Sequence, residues 1–192
     1  MRAKMILTAI AMTYFAGSAN AITYTGTRTA GTATAQLSIT TDDTIGVLTT
    51  ANVVDWTIAM TDGSSSFTLL GPLSGANSNL LVSGTALSAT ATDLIFNFSA
   101  GSGFALFQAP SVGSGQTFYC PQINGCFDFS GPGEGIDPRN DFLFQRNSLT
   151  GSVVLATSGG VPEPATWGMM LGGFSLVGGA MRTRKKATVS FG

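Results

Sequence analysis

The sequence predicts an all-β body, arranged as an antiparallel β-sandwich or a jelly-roll-like fold of roughly ten short strands. Apolar residues alternate with polar ones rather than recurring at helical spacing, and stretches rich in Gly, Ser, Pro and Asn separate the alternating runs. The body also lacks a helical pattern. Parallel α/β folds are therefore disfavoured, because their crossover connections need helices.

The clearest strand lies in the stretch NVVDWTIAMTDG, where the apolar residues at 54, 56, 58 and 60 share one face and Asp62-Gly63 supplies a turn. Further strands are predicted at residues 35–41, 45–47, 66–70, 80–82, 86–90, 94–98, 104–107, 117–120, 142–144 and 153–156. The predicted core contains Phe67, Leu69, Leu94, Phe96, Phe98, Phe104, Leu106, Phe142, Phe144, Val153 and Leu155. The stretch GPGEGIDPRND is predicted to be an irregular loop.

The amino terminus has the pattern of an export signal. Two basic residues precede an apolar run over residues 5–15, and small residues lead to an Ala-x-Ala site formed by Ala19 and Ala21. We predict that residues 1–21 are a signal peptide that signal peptidase removes after Ala21. The alternative is a buried N-terminal helix.

The charge of the body excludes several partners. Residues 22–161 contain three basic residues, Arg28, Arg139 and Arg146, against nine acidic ones, which gives a formal charge of −6. A body without lysine or a cationic cluster offers no footprint for nucleic acid or anionic lipid. Neither is expected as a partner of the body.

Cys120 and Cys126 are the only cysteines. In an exported chain an even pair at close spacing predicts a disulfide, and the enclosed Asn124-Gly125 is a strong turn former. We interpret the pair as a staple for one loop, with a redox site as the alternative.

The residue types needed for most catalysis are missing. The chain has no histidine and the body has no lysine, which excludes His-dependent nucleophile systems, Ser-Lys dyads and Schiff bases. We therefore predict a protein that is not an enzyme and needs no cofactor. A glycoside hydrolase that uses Glu134 with Asp137 or Asp141 remains an alternative, because such enzymes need only two carboxylates.

A binding role for the body is a further alternative. Asp137, Asn140 and Asp141 are weak candidate calcium ligands, since Ca²⁺ prefers oxygen atoms from loops, but the favoured interpretation is that they are solvated turn residues. Trp56 and Tyr119 are candidates for stacking on sugar rings, but the spacing of Trp56 favours the core.

The carboxyl terminus, VPEPATWGMMLGGFSLVGGAMRTRKKATVSFG, follows a last strand and a Gly-Ser linker. Residues 167–181 would span about 22 Å as a helix, against roughly 30 Å for the hydrocarbon core of a bilayer. This segment predicts a short, weak transmembrane helix that holds the exported body temporarily; an ordinary anchor is the alternative. The basic stop that follows it consists of Arg182, Arg184, Lys185 and Lys186.

The order of Pro162-Glu163-Pro164, Trp167, a Gly-rich apolar segment and a basic end resembles the sorting signal of PEP-CTERM proteins. The resemblance implies that an exosortase recognises the Pro-Glu-Pro element and that the protein reaches the cell surface or polysaccharide matrix of a Gram-negative bacterium. It implies no single biochemical activity. Gly168 stands where Ala is frequent, and residues 187–192 extend beyond the basic cluster.

The sequence thus predicts a signal peptide at 1–21, a β-rich extracellular domain at 22–158, a sorting signal at 159–186 and a short extension at 187–192. The predicted function is that of an exported, non-enzymatic protein of the surface or extracellular matrix. Extracellular polysaccharide is a candidate partner. A carbohydrate- or calcium-binding module is the main alternative.

Overall fold

The computed structural model describes residues 21–126, 131–140 and 144–159. This part of the chain contains β-strands and one 3-10 helix at Thr50–Asn52. The strands are β1 Ile22–Ala30, β2 Ala33–Thr41, β3 Gly46–Val47, β4 Val53–Thr61, β5 Ser66–Leu70, β6 Asn79–Gly84, β7 Leu87–Ala89, β8 Asp93–Asn97, β9 Gly103–Gln108, β10 Phe118–Gln122, β11 Gly133–Asp137, β12 Gln145–Ser148 and β13 Ser152–Ser158.

The strands form two antiparallel sheets. The larger has the order β3-β7-β8-β13-β1-β2-β4-β5, and the smaller has the order β12-β11-β10-β9-β6. The prediction of an all-β, antiparallel fold is confirmed. The unequal sheets, and the consecutive order of β9 to β12, differ from a jelly roll of eight strands built from two Greek keys.

The main core lies between the two sheets. Trp56 of β4 packs edge-on against Phe107 of β9, with ring centroids 5.5 Å apart, and Phe107 stacks on Tyr119 of β10 at 6.1 Å. Six of the predicted core residues are buried: Leu69, Leu94, Phe96, Phe98, Leu106 and Leu155. Four more are partly buried against a core cluster: Phe67, Phe104, Phe144 and Val153. Phe142 lies outside the described residues.

A second, smaller hydrophobic cluster covers the other face of the five-stranded sheet. It contains Leu106, Phe118, Cys120 and Cys126, with partly buried Phe104, Val112 and Phe144 packed against it. Alternate residues of β9 and β10 therefore serve two different cores. This explains why all five residues of β10 are buried. The five residues of β11 are buried as well, with Ile136 in the main core.

The prediction of an irregular loop for GPGEGIDPRND is wrong, because β11 runs through it between β10 and β12. Gly133 allows β12 to come close: a Cβ at this position would collide with the backbone oxygen of Asn147. Glycine in this strand reflects the close approach of a neighbouring backbone rather than a loop.

The terminal predictions fall outside the described residues. They are the signal peptide up to residue 20, the transmembrane helix at 167–181 and the basic stop. Within the described ranges, no helix has the length and apolarity needed to cross a membrane.

Candidate functional site

A cleft of about 310 Å³ opens where the turn after β11 meets the loop between β9 and β10. Apolar and amide side chains share its walls with one guanidinium; among the lining residues are Phe67, Asn77, Pro110, Gln116, Arg139 and Asn140. The stretch GPGEGIDPRND, which contains the candidate calcium ligands, thus contributes Arg139 and Asn140 to a concave surface. Amides beside an aromatic ring and prolines suit a small polar ligand.

Arg139 is paired at the mouth of this cleft. Its Nε donates to Oδ2 of Asp62, which lies in the turn between β4 and β5, and the side chain of Asp62 is almost fully buried. Oδ1 of Asp62 accepts the backbone N–H groups of Ser64 and Ser65 at 2.9 and 2.8 Å. The hydrogen bond from Arg139, with these backbone donors, lowers the pKa of Asp62 to about 2. The ion pair therefore ties the ends of the two sheets together.

The three predicted calcium ligands have different surroundings. Asp137 is fully buried, and its Oδ1 accepts the backbone N–H of Arg139 at 2.9 Å, which forms a local turn. Asn140 lines the cleft in the left-handed region, at φ 62°. Asp141 lies outside the described residues, so the calcium hypothesis stays a prediction. The described ranges hold no group of three or more His, Cys, Asp or Glu side chains that could bind a metal.

Glu134 takes part in a buried network between the sheets. Its carboxylate accepts hydrogen bonds from Nε and Nη2 of Arg28 at 2.9 and 2.8 Å, and from the Tyr119 hydroxyl at 2.8 Å. Burial and the charge of Glu134 raise the pKa of Tyr119 well above its usual range. A carboxylate so enclosed leaves no space for a glycosidic bond, and Asp137, three residues along the same strand, faces the other side.

Neither aromatic candidate for sugar stacking is exposed. Tyr119 is fully buried, and Trp56 is 4% exposed, with its indole N–H donating to Ser78 Oγ at 2.9 Å. The interpretation of Trp56 as a core residue is confirmed. Sugar stacking on either ring is excluded, since a stacking ring must present its face to solvent.

The disulfide between Cys120 and Cys126 is present. Both residues are buried in the second hydrophobic cluster, and Oε1 of Gln122 accepts the backbone N–H of Cys126 at 2.7 Å. Buried sulfur atoms in apolar surroundings are inert, which favours the staple over the redox interpretation.

The chain consists of the β-sandwich domain described above and a C-terminal segment that matches a known family model. Residues 160–185 match the family model described as the PEP-CTERM protein-sorting motif. The chain therefore carries this motif, as the resemblance of its tail predicted, and the motif implies an exported protein that an exosortase processes at the membrane. Searches of curated proteins and of solved structures found no match.

The match includes the sorting residues named from the sequence: Pro162, Glu163, Pro164, Trp167, Arg182, Arg184 and Lys185. Lys186 follows it directly. All of them lie outside the described residues, as does Ala19, whereas Ala21 is the first described residue and precedes β1.

Proposed function

We propose that this protein is a non-enzymatic β-sandwich that is exported, processed at its tail by an exosortase, and then resides at the cell surface or in the extracellular matrix. The match of residues 160–185 to the sorting motif carries the proposal. Signal peptidase would remove residues 1–21, and residues 167–181 would hold the body at the inner membrane until cleavage. The host is a Gram-negative bacterium in this proposal.

Two features of the body support this proposal, one for export and one for a non-enzymatic role. The disulfide between Cys120 and Cys126 suits an oxidising compartment outside the cytosol. Glu134, the candidate catalytic acid of the sequence analysis, is instead held in an ion pair with Arg28, which links β11 of the smaller sheet to β1 of the larger. Glu134 thus stabilises the fold, which suits a structural or adhesive role for the body.

The proposal is tested by replacing Pro162-Glu163-Pro164 with three alanines and comparing cell fractions on immunoblots. The native chain is expected to yield a shortened form at the surface or in the matrix, while the variant keeps its tail and remains with the inner membrane. Replacing Thr188, Val189 and Ser190 with alanines is the matched control, because these residues follow the basic stop. Unchanged size and location of the Pro-Glu-Pro variant would contradict the proposal.

A second candidate function is ligand recognition in the cleft beside Arg139. The observation that favours it is the concave surface of about 310 Å³ to which the turn after β11 contributes Arg139 and Asn140. Calorimetric titration with CaCl2 and a glycan array test it. Asn140→Gly keeps the left-handed backbone and removes the amide, so binding should fall in this variant. If the native chain binds nothing in either assay, ligand recognition in the cleft is rejected.

A further inference from the structure

The outer face of the larger sheet, which points away from the core, is rich in threonine. In β1 the side chains of Thr23, Thr25, Thr27 and Thr29 are exposed, whereas Tyr24 between them is fully buried. This alternation places four threonines in one line along the outside of the sheet.

The same outward face extends across β2, β4 and β5, the next three strands of the sheet. Thr27 lies opposite Gln36 of β2, Gln36 lies opposite Ala59 of β4, and Ala59 lies opposite Thr68 of β5. All four are exposed or half-buried. They form a row of uncharged side chains that crosses four strands at right angles.

A second row runs beside the first. It consists of Thr29, Thr34, Thr61 and Ser66, again in direct cross-strand register. A groove of about 210 Å³ is lined by residues of both rows on β2, β4 and β5. Ala59, which has the smallest side chain of the first row, lines this groove between Gln36 and Thr68. The outward side of β1, β2, β4 and β5 is called the hydroxyl face below.

The hydroxyl face is uncharged except at one corner. In these four strands, which the structure describes in full, no outward position holds Lys, Arg or Glu. Asp55 is the acid at the corner, and its carboxylate is engaged by the backbone N–H groups of Leu73 and Ser74 and by the Ser74 hydroxyl. A soluble surface normally carries about a quarter or more charged residues. A neutral face on a body of charge −6 favours a neutral partner.

The hydroxyl face is also preorganised for hydrogen bonding. Threonine is β-branched and has few side-chain rotamers, and the hydroxyls of Thr23 and Thr40 already share a hydrogen bond of 2.8 Å across the strands. Neighbouring strands lie about 4.8 Å apart and alternate residues about 6.8 Å apart, so the hydroxyls form a regular grid. Each hydroxyl both donates and accepts, as a sugar hydroxyl does.

We propose that the hydroxyl face binds an uncharged polysaccharide, with one sugar ring seated in the groove at Ala59 and neighbouring rings on the threonines of β1 and β2. A polymer suits this surface because many weak contacts along one chain add through their high effective concentration. The inference deepens the proposed function by naming the matrix component that the body contacts. Binding by the purified chain does not depend on sorting.

The test is affinity electrophoresis of the purified full chain in gels that contain hydroxyethyl cellulose, glucomannan, dextran or, as the anionic comparison, alginate. Migration is measured relative to a polymer-free gel. At least one neutral polymer is expected to retard the chain and alginate is not. Thr27→Glu and Thr68→Glu should each weaken retardation about tenfold, because the ligand would cover an unpaired charge.

Two variants separate binding from folding. Ser83→Glu adds the same charge to an exposed position of β6 in the smaller sheet and should bind like the native chain. Thr68→Val keeps the β-branched shape and loses the hydroxyl, so its retardation should weaken while its thermal unfolding stays unchanged. Absence of retardation by every neutral polymer, equal retardation by alginate, or equal losses in Thr68→Glu and Ser83→Glu would each overturn the proposal. None of these outcomes depends on the fate of the tail, which the Pro-Glu-Pro replacement tests separately.

Discussion

Arg28 and Glu134 join the two sheets of the sandwich, with Nη2 of Arg28 and Oε2 of Glu134 2.8 Å apart. The Glu134 side chain is fully buried and the Arg28 side chain is 17% exposed. Arg28 also donates to the backbone oxygen of Val154 in β13 at 3.3 Å. A single guanidinium therefore links three strands, β1, β11 and β13, across both sheets.

Loss of Arg28 should destabilise the fold strongly. Arg28→Met leaves Glu134 buried without its cation, and removing one partner of a buried pair costs about 3 kcal/mol or more. Urea unfolding followed by tryptophan fluorescence would measure the change. The exposed Arg146 of β12 supplies the control, since Arg146→Met should change the free energy of unfolding by no more than about 0.5 kcal/mol. Equal stabilities of the two variants would show that the pair contributes nothing.

Replacing both partners should restore part of the lost stability. Arg28→Met combined with Glu134→Leu removes the buried charge together with its cation, so the double variant should be more stable than Arg28→Met alone. The same urea titration provides the comparison. A double variant less stable than Arg28→Met would mean that Glu134 contributes mainly through Tyr119 and the backbone.

The Asp62–Arg139 pair predicts a specific acid dependence of stability. The pKa of Asp62 is about 2 in the folded chain and near 3.8 when unfolded, so its contribution is complete above about pH 4 and is lost as the pH falls toward 2. Asp62→Asn and Arg139→Gln should both flatten the stability profile in this window. Thermal unfolding between pH 2 and 5 measures it. A profile of either variant as steep as the native one would contradict the contribution assigned to this pair.

Gly133 should tolerate no side chain. In Gly133→Ala the new Cβ would collide with the backbone oxygen of Asn147 in β12, which can move only if the strand pairing loosens. We expect a loss of about 2 kcal/mol or more, within the range that overpacking causes. Gly101→Ala is the control, because a Cβ there meets nothing within 4 Å. Indistinguishable unfolding curves for the two variants would place β12 further from β11 than the structure does.

The strands with regular apolar alternation could be predicted from the sequence, and those without it could not. In β4 the buried Trp56, Ile58 and Met60 repeat at every second position, which defines both strand and face. In β1 the regular signal is in the exposed threonines instead. Its inward positions include Gly26 and Arg28, so a search for apolar alternation misses the strand.

The structural role of Glu134, as the partner of Arg28 and Tyr119, could not be predicted from the sequence for a different reason. Its partners Arg28 and Tyr119 lie 106 and 15 residues away, and no local pattern indicates that they meet. A buried acid flanked by two glycines has the composition of a solvated loop until the sheet pairing is known. The disulfide and the sorting motif could be predicted because their signals are local.

The most direct test of the central claim, export followed by processing of the tail, is the intact mass of the protein recovered from the surface or matrix of the cells. We predict one chain without residues 1–21 and without residues 167–192, lighter by two hydrogens for the bond between Cys120 and Cys126. A recovered chain that still extends to Gly192 would contradict it.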